Sequence, residues 1–183
     1  MFNLYQKKSK AFPEMIEVSG KYCGVNMDFR NILRIFAVID DAKIPADKKL
    51  KKIREWFFED GLPDHEALEA FYKIIGAGTN EEHEPQFCFE FDAREIYAGF
   101  LSEYNIDLIS VGFLHWYKFK ILLENLSPES AFKRKIELRF MDLNGYRSGE
   151  LIRAKESVQL PDRHEQTQEL KDFDEIWGKA GNN

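Results

Sequence analysis

Residues 92–126, DAREIYAGFLSEYNIDLISVGFLHWYKFKILLENL, decide the fold. Asp92 with Glu95 three residues on reads as a capping pair, and Ala93, Ile96, Tyr97, Phe100, Leu101 and Tyr104 follow at helical spacing. That spacing predicts an amphipathic helix over about 92–105. Asn105 and Ile106 interrupt it, and Asp107 reads as the cap of a second helix over about 107–125. The apolar residues of that second helix, Leu108, Ile109, Val111, Phe113, Leu114, Trp116, Tyr117, Phe119 and 121–123, point almost all the way round its axis. A helix apolar on every side has to be covered by other helices. The expected fold is therefore mainly α: a compact multi-helix domain around this central helix pair.

Upstream, Ile16 and Val18 alternate with polar positions, Ser19-Gly20 suits a tight turn, and 22–25 resume an extended pattern, which predicts a small N-terminal β-hairpin. Asp28 caps a predicted helix with Phe29, Ile32, Leu33, Phe36 and Ile39 on one face. Pro45 opens the next, ADKKLKKIREWFFED, with Leu50, Ile53 and Phe57 inward and Asp60-Gly61 as its stop. Pro63 opens DHEALEAFYKII, ended by Gly76 and Gly78, and TNEEHEP follows as a polar loop. Alternation of Phe87, Phe89 and Phe91 fits a short strand at 87–91. Ser127-Pro128 starts a basic helix with Phe132, Ile136 and Phe140 every four residues, and Asn144-Gly145 is a turn. The expected organisation is one mainly helical domain over 1–160, followed by an acidic helix or loosely docked tail over 161–183.

With 183 residues, 44% hydrophobic content and sixteen Phe, the chain can bury a ring-rich core. A formal charge of −6 argues against a general affinity for nucleic acid or anionic lipid, both of which need clustered Lys and Arg. Two cysteines, Cys23 and Cys88, allow at most one bridge and suit a reducing compartment. No run approaches the roughly 18 apolar residues of a membrane span, and the N-terminus lacks an apolar secretory core, so a cytoplasmic protein is expected.

Candidate reaction centres are few. His83, Glu84 and Cys88 lack the second close pair of a metal site and read as a solvated loop beside a core cysteine. His115, next to Trp116, reads as a core histidine. Gly76 and Gly78 lack the spacing and the Lys of a phosphate-cradling loop, and no nucleophile elbow occurs. The expectation is a protein without catalytic residues, metal or cofactor. Two basic patches, Lys48 to Arg54 and Lys133 to Arg139, read as solvated or partner-facing helix surfaces, with nucleic acid the less favoured ligand.

What remains is a surplus of aromatic rings. Adjacent Trp56, Phe57 and Phe58, and adjacent Trp116 and Tyr117, cannot all leave a helix on the same side. Either some face a second chain, which makes these five the candidate partner-binding residues, or a multi-helix core takes them all.

The segments NMDFRNILRIFAVIDD, FEFDAREIYAGFLSEYNIDL, LHWYKFKILLENL and RFMDLNGY resemble the bacteriophage gene-product-fifteen family of tailed phages and prophages of Gram-positive bacteria, over about 15–161. That resemblance implies a small helical tail-module protein, encoded near the tape-measure gene. The implied role is that of a non-enzymatic tail assembly chaperone in the host cytoplasm. It would bind the tape-measure protein and other tail assembly proteins, with self-association adding avidity. The alternatives are a minor tail component retained in the virion, or a nucleic-acid-binding regulator.

Overall fold

The computed structural model describes residues 7, 11–59, 64–75, 85–144 and 148–160. Among them are seven helices and one two-stranded antiparallel sheet, so the mainly α expectation holds. These residues divide into two compact units. One takes in the residues up to Glu81 with Phe113–Lys118, the other Glu82–Gly112 and Phe119–Pro161. The tail over 161–183, the glycines after Ile75, the loop they open and the Asn144-Gly145 turn lie outside the described residues, wholly or in part.

In the first unit, β1 (Met15–Val18) and β2 (Lys21–Gly24) pair in the register Met15 to Gly24 and Val18 to Lys21. Ser19 at φ 49° and Gly20 at φ 78° make the left-handed two-residue turn that matches strand twist. A Cβ at Gly20 would meet nothing within 4 Å. Gly20→Ala should therefore lose about 1 kcal/mol through backbone conformation alone, read from urea denaturation.

Helix α1 (Phe29–Asp40) starts where expected: the Asp28 carboxylate accepts the Arg30 N–H at 3.0 Å. Phe29, Ile32, Ile35, Val38 and Ile39 are buried. Helix α2 (Ala46–Phe57) follows Pro45 and buries Leu50, Ile53 and Phe57. It ends earlier than its sequence suggests. Phe58 is extended and bridges Val25, because the hairpin's continuation claims the backbone there: the Asn26 N–H donates to Phe57 O at 2.8 Å and Glu59 N–H to Gly24 O at 3.0 Å. Helix α3 (Asp64–Ile75) buries Ala67, Phe71 and Ile75. Phe71 meets Phe57 edge-on at 5.0 Å and Phe36 at 6.1 Å, and Phe36 meets Trp116 at 5.7 Å.

The second helix of the deciding stretch is shorter than its apolar pattern implies. Helix α5 is Trp116–Glu124, not 107–125. Asp107 caps only one turn, accepting from Ile109 N–H at 2.9 Å and Ser110 Oγ at 2.7 Å. After Gly112 the chain is extended, and its backbone serves the start of α1: Phe29 N–H donates to Leu114 O at 2.9 Å, Trp116 N–H to Met27 O at 2.7 Å. Those bonds fix residues 113–115 in a non-helical path, whatever their side-chain periodicity.

In the second unit, α4 (Ala93–Tyr104) closes on Asn105 in the left-handed region. Phe100 and Phe119 stack at 5.0 Å in a core with Ile96, Leu123, Leu126 and Phe132. Gly99 lets this core close: a Cβ there would stand 3.0 Å from both Leu126 methyls. Residues 89–92 form a turn instead of the expected strand, with Asp92 N–H donating to Cys88 O at 2.8 Å. Helix α6 (Ala131–Phe140) is capped by Ser130, whose Oγ accepts Lys133 N–H at 3.2 Å, not by Ser127. Ser127 instead shapes the turn before it, its Oγ taking Glu129 N–H at 3.1 Å. Ser130→Ala should accordingly lose about 1 kcal/mol in thermal or urea unfolding. Helix α7 (Gly149–Ser157) follows, capped by Ser148. No helix among the described residues is long and apolar enough to cross a membrane.

Candidate binding groove

The first unit carries a groove of about 720 Å³ where the hairpin's continuation meets the end of α2. Val25 and Phe58 form its floor, both buried. The walls are Trp56, half-buried, and Phe113, whose 54% exposure marks it as accessible. Glu14, Glu55 and Glu59, all exposed, line the rim, and no Lys or Arg is among the described lining residues.

Backbone bonding holds this groove open. Val25 N–H donates to Glu14 O at 3.0 Å on one side, and Val25 bridges Phe58 on the other. The buried Asn31 amide ties the two chain stretches together, donating to Asn26 O at 3.1 Å and Trp56 O at 2.8 Å. Two cations attend the Trp56 ring, Lys52 at 4.6 Å and Arg34 at 5.2 Å from its centroid. The site can therefore offer a partner rigid apolar surface and carboxylates.

Of the five aromatic candidates, the structure brings Trp56 and Phe58 to this groove and buries Phe57, Phe58 and Trp116 to 6% exposure or less. Tyr117 is half-buried and its hydroxyl donates to Ile74 O. Phe113, Glu14, Glu55 and Glu59 were not singled out by sequence. Gly112 carried the missed signal, since a glycine inside a helical pattern weakens the helix and here marks the break that exposes Phe113.

His115 is buried, with Nδ1 accepting Tyr117 N–H at 3.1 Å and Nε2 facing Pro13 O at 3.2 Å. An Nε2-protonated neutral ring satisfies both contacts. No disulfide joins Cys23 to Cys88, and His83 and Glu84 lie outside the described residues.

A second cluster of charged groups lies in the other unit. Asp92, fully buried, was expected to cap α4 but makes no cap bond. Arg139 Nη2 and Lys135 Nζ each donate to its Oδ1 at 2.9 Å, and Cys88 N–H donates to Oδ2 at 2.9 Å. Arg139 also donates to Gln86 O at 2.6 Å and Val158 O at 2.7 Å, and Lys135 reaches Glu95 at 3.0 Å. Burial pushes the Asp92 carboxyl up, and these donors outweigh it, so its pKa lies below the ordinary carboxylate value. The cluster fastens the turn before α4 to α6 and to the residue after α7; every donor in it has a protein acceptor.

Fold and groove together describe a mainly helical protein with an aromatic, acid-rimmed groove in its first unit. The family model described as Bacteriophage Gp15 protein matches residues 9–160, and the chain belongs to that family. The match takes in all four segments that carry the resemblance. No match was found among curated proteins or among solved structures.

Proposed function

We propose that this phage protein is a tail assembly chaperone. It acts without a reaction centre or cofactor, binding the tape-measure protein in the host cytoplasm and keeping that long chain from aggregating while tail-tube subunits assemble. The groove of the first unit carries the reading, because Trp56 and Phe113 are large rings left accessible beside a backbone already tied off. Tape-measure chains are long and helical with apolar stripes, and a groove lined by rings suits one such stripe. Membership of the phage family supports this placement.

Co-expression with the tape-measure protein of the same phage tests it. Soluble tape-measure protein that co-purifies with this chain is the expected result, together with absence of the chain from finished virions. An insoluble tape-measure protein with no co-purification would refute the reading. Recovery of the chain from purified virions would favour a minor tail component.

A further inference from the structure

We infer that the groove of the first unit selects a helical polypeptide segment whose apolar stripe is flanked by Lys or Arg, read through its side chains. This deepens the chaperone reading and rests on it for the partner being a polypeptide. Two observations point to that occupant.

The first is the backbone. Strand addition needs a row of unused N–H and C=O groups, and the chain at the groove floor spends its own inward and outward. Val25 N–H goes to Glu14 O, Asn26 N–H to Phe57 O and Glu59 N–H to Gly24 O, with Val25 bridged to Phe58 as well. An extended segment therefore finds little edge to extend here. A helix satisfies its own backbone and presents only side chains, which is what Trp56 and Phe113 can receive.

The second is charge. Glu55 in the last turn of α2 and Glu59, just past its extended cap Phe58, stand exposed on the rim beside an apolar floor. Lys51 reaches Glu55 at 3.7 Å, an exposed pair that contributes little and that an incoming cation can exchange with. Lys52 and Arg34 already stand 4.6 Å and 5.2 Å from the Trp56 ring centroid, so a partner's cation is drawn to the carboxylates and its apolar stripe to the rings. A partner cation placed beside Glu55 and Glu59 gains an ion pair at the rim. An acidic segment would meet repulsion from the same rim.

Two labelled peptides of about five helical turns test this, carrying an identical Leu and Phe stripe flanked by Lys in one and by Glu in the other. Binding to the full chain is read by fluorescence anisotropy. The Lys peptide should bind at least about tenfold tighter than the Glu peptide, and less tightly as salt rises. Glu55→Lys with Glu59→Lys should remove that preference. Glu55→Gln with Glu59→Gln should reduce it while the thermal unfolding of the chain stays put, and Phe113→Ala should weaken both peptides. Equal binding of the two peptides, binding of neither, or wild-type selectivity in both double variants would overturn the inference. The peptide assay and the tape-measure co-expression fail separately: selective peptide binding with no tape-measure rescue would discard that client and keep the groove's specificity.

Discussion

Asp92→Ala lowers the stability of the second unit by about 3–5 kcal/mol, because it leaves the Arg139 guanidinium buried without its carboxylate. Arg139 is buried and keeps only carbonyl acceptors, Gln86 O and Val158 O, and the Cys88 N–H loses its acceptor as well. Arg139→Ala has a similar effect from the other side. Replacing both, as Asp92→Leu with Arg139→Met, should recover a good part of the loss, since an apolar pair no longer carries an unmatched charge. Urea denaturation of wild type, Asp92→Leu, Arg139→Met and the variant carrying both forms the cycle. Equal stability of Asp92→Ala and wild type would show that the ion pair is not formed in solution.

The same carboxylate sets a pH dependence. Its pKa in the folded chain lies below the unfolded value, so its stabilisation is complete above the ordinary carboxylate pKa and fades as pH falls through the folded one. Asp28 acts in the same direction. Burial raises its pKa, while Arg30 and the Leu114 and Arg30 N–H groups lower it further than burial raises it. Stability should fall on acidification below the ordinary Asp range, and the Asp92→Ala variant should show a shallower fall in that window.

Phe57→Ala is the second large effect, about 3–5 kcal/mol of lost stability from a cavity at a fully buried ring that meets Phe71 at 5.0 Å and Phe58 at 4.8 Å edge-on. Its neighbour Trp56 behaves otherwise. Trp56→Ala removes a half-buried ring from the groove wall, so it should cost partner affinity with a much smaller change in unfolding midpoint. Measuring both quantities on both variants separates core from surface among residues that sequence placed together.

That contrast shows what local sequence could carry. The hairpin was legible because Ser19-Gly20 suits the left-handed turn in which both residues sit, and α1 and α2 because Asp28 and Pro45 mark their starts. Each of these signals acts within a few residues. The errors have distant partners. Residues 107–115 have enough apolar side chains for a buried helix, yet the backbone of 113–115 is claimed by 27–29; Leu114 N–H also reaches Asp28 Oδ2, 86 positions away. Asp92 sits in a capping pattern, but Arg139, 47 positions on, takes its carboxylate. The groove was half legible for the same reason. Trp56 and Phe58 stood out as adjacent rings, whereas Glu14, Val25 and Phe113 join them only through tertiary folding.

The most direct measurement is photocrosslinking with benzoylphenylalanine placed at Phe113, in the chain co-expressed with the tape-measure protein. Phe113 is exposed and lines the groove, so the reagent sits on its wall without filling the core. A crosslink to the tape-measure chain from this position, and none from the same reagent at the exposed Ile152, is the predicted result. A complex that forms but crosslinks only from Ile152, or from neither position, would contradict the assignment of the groove as the binding surface.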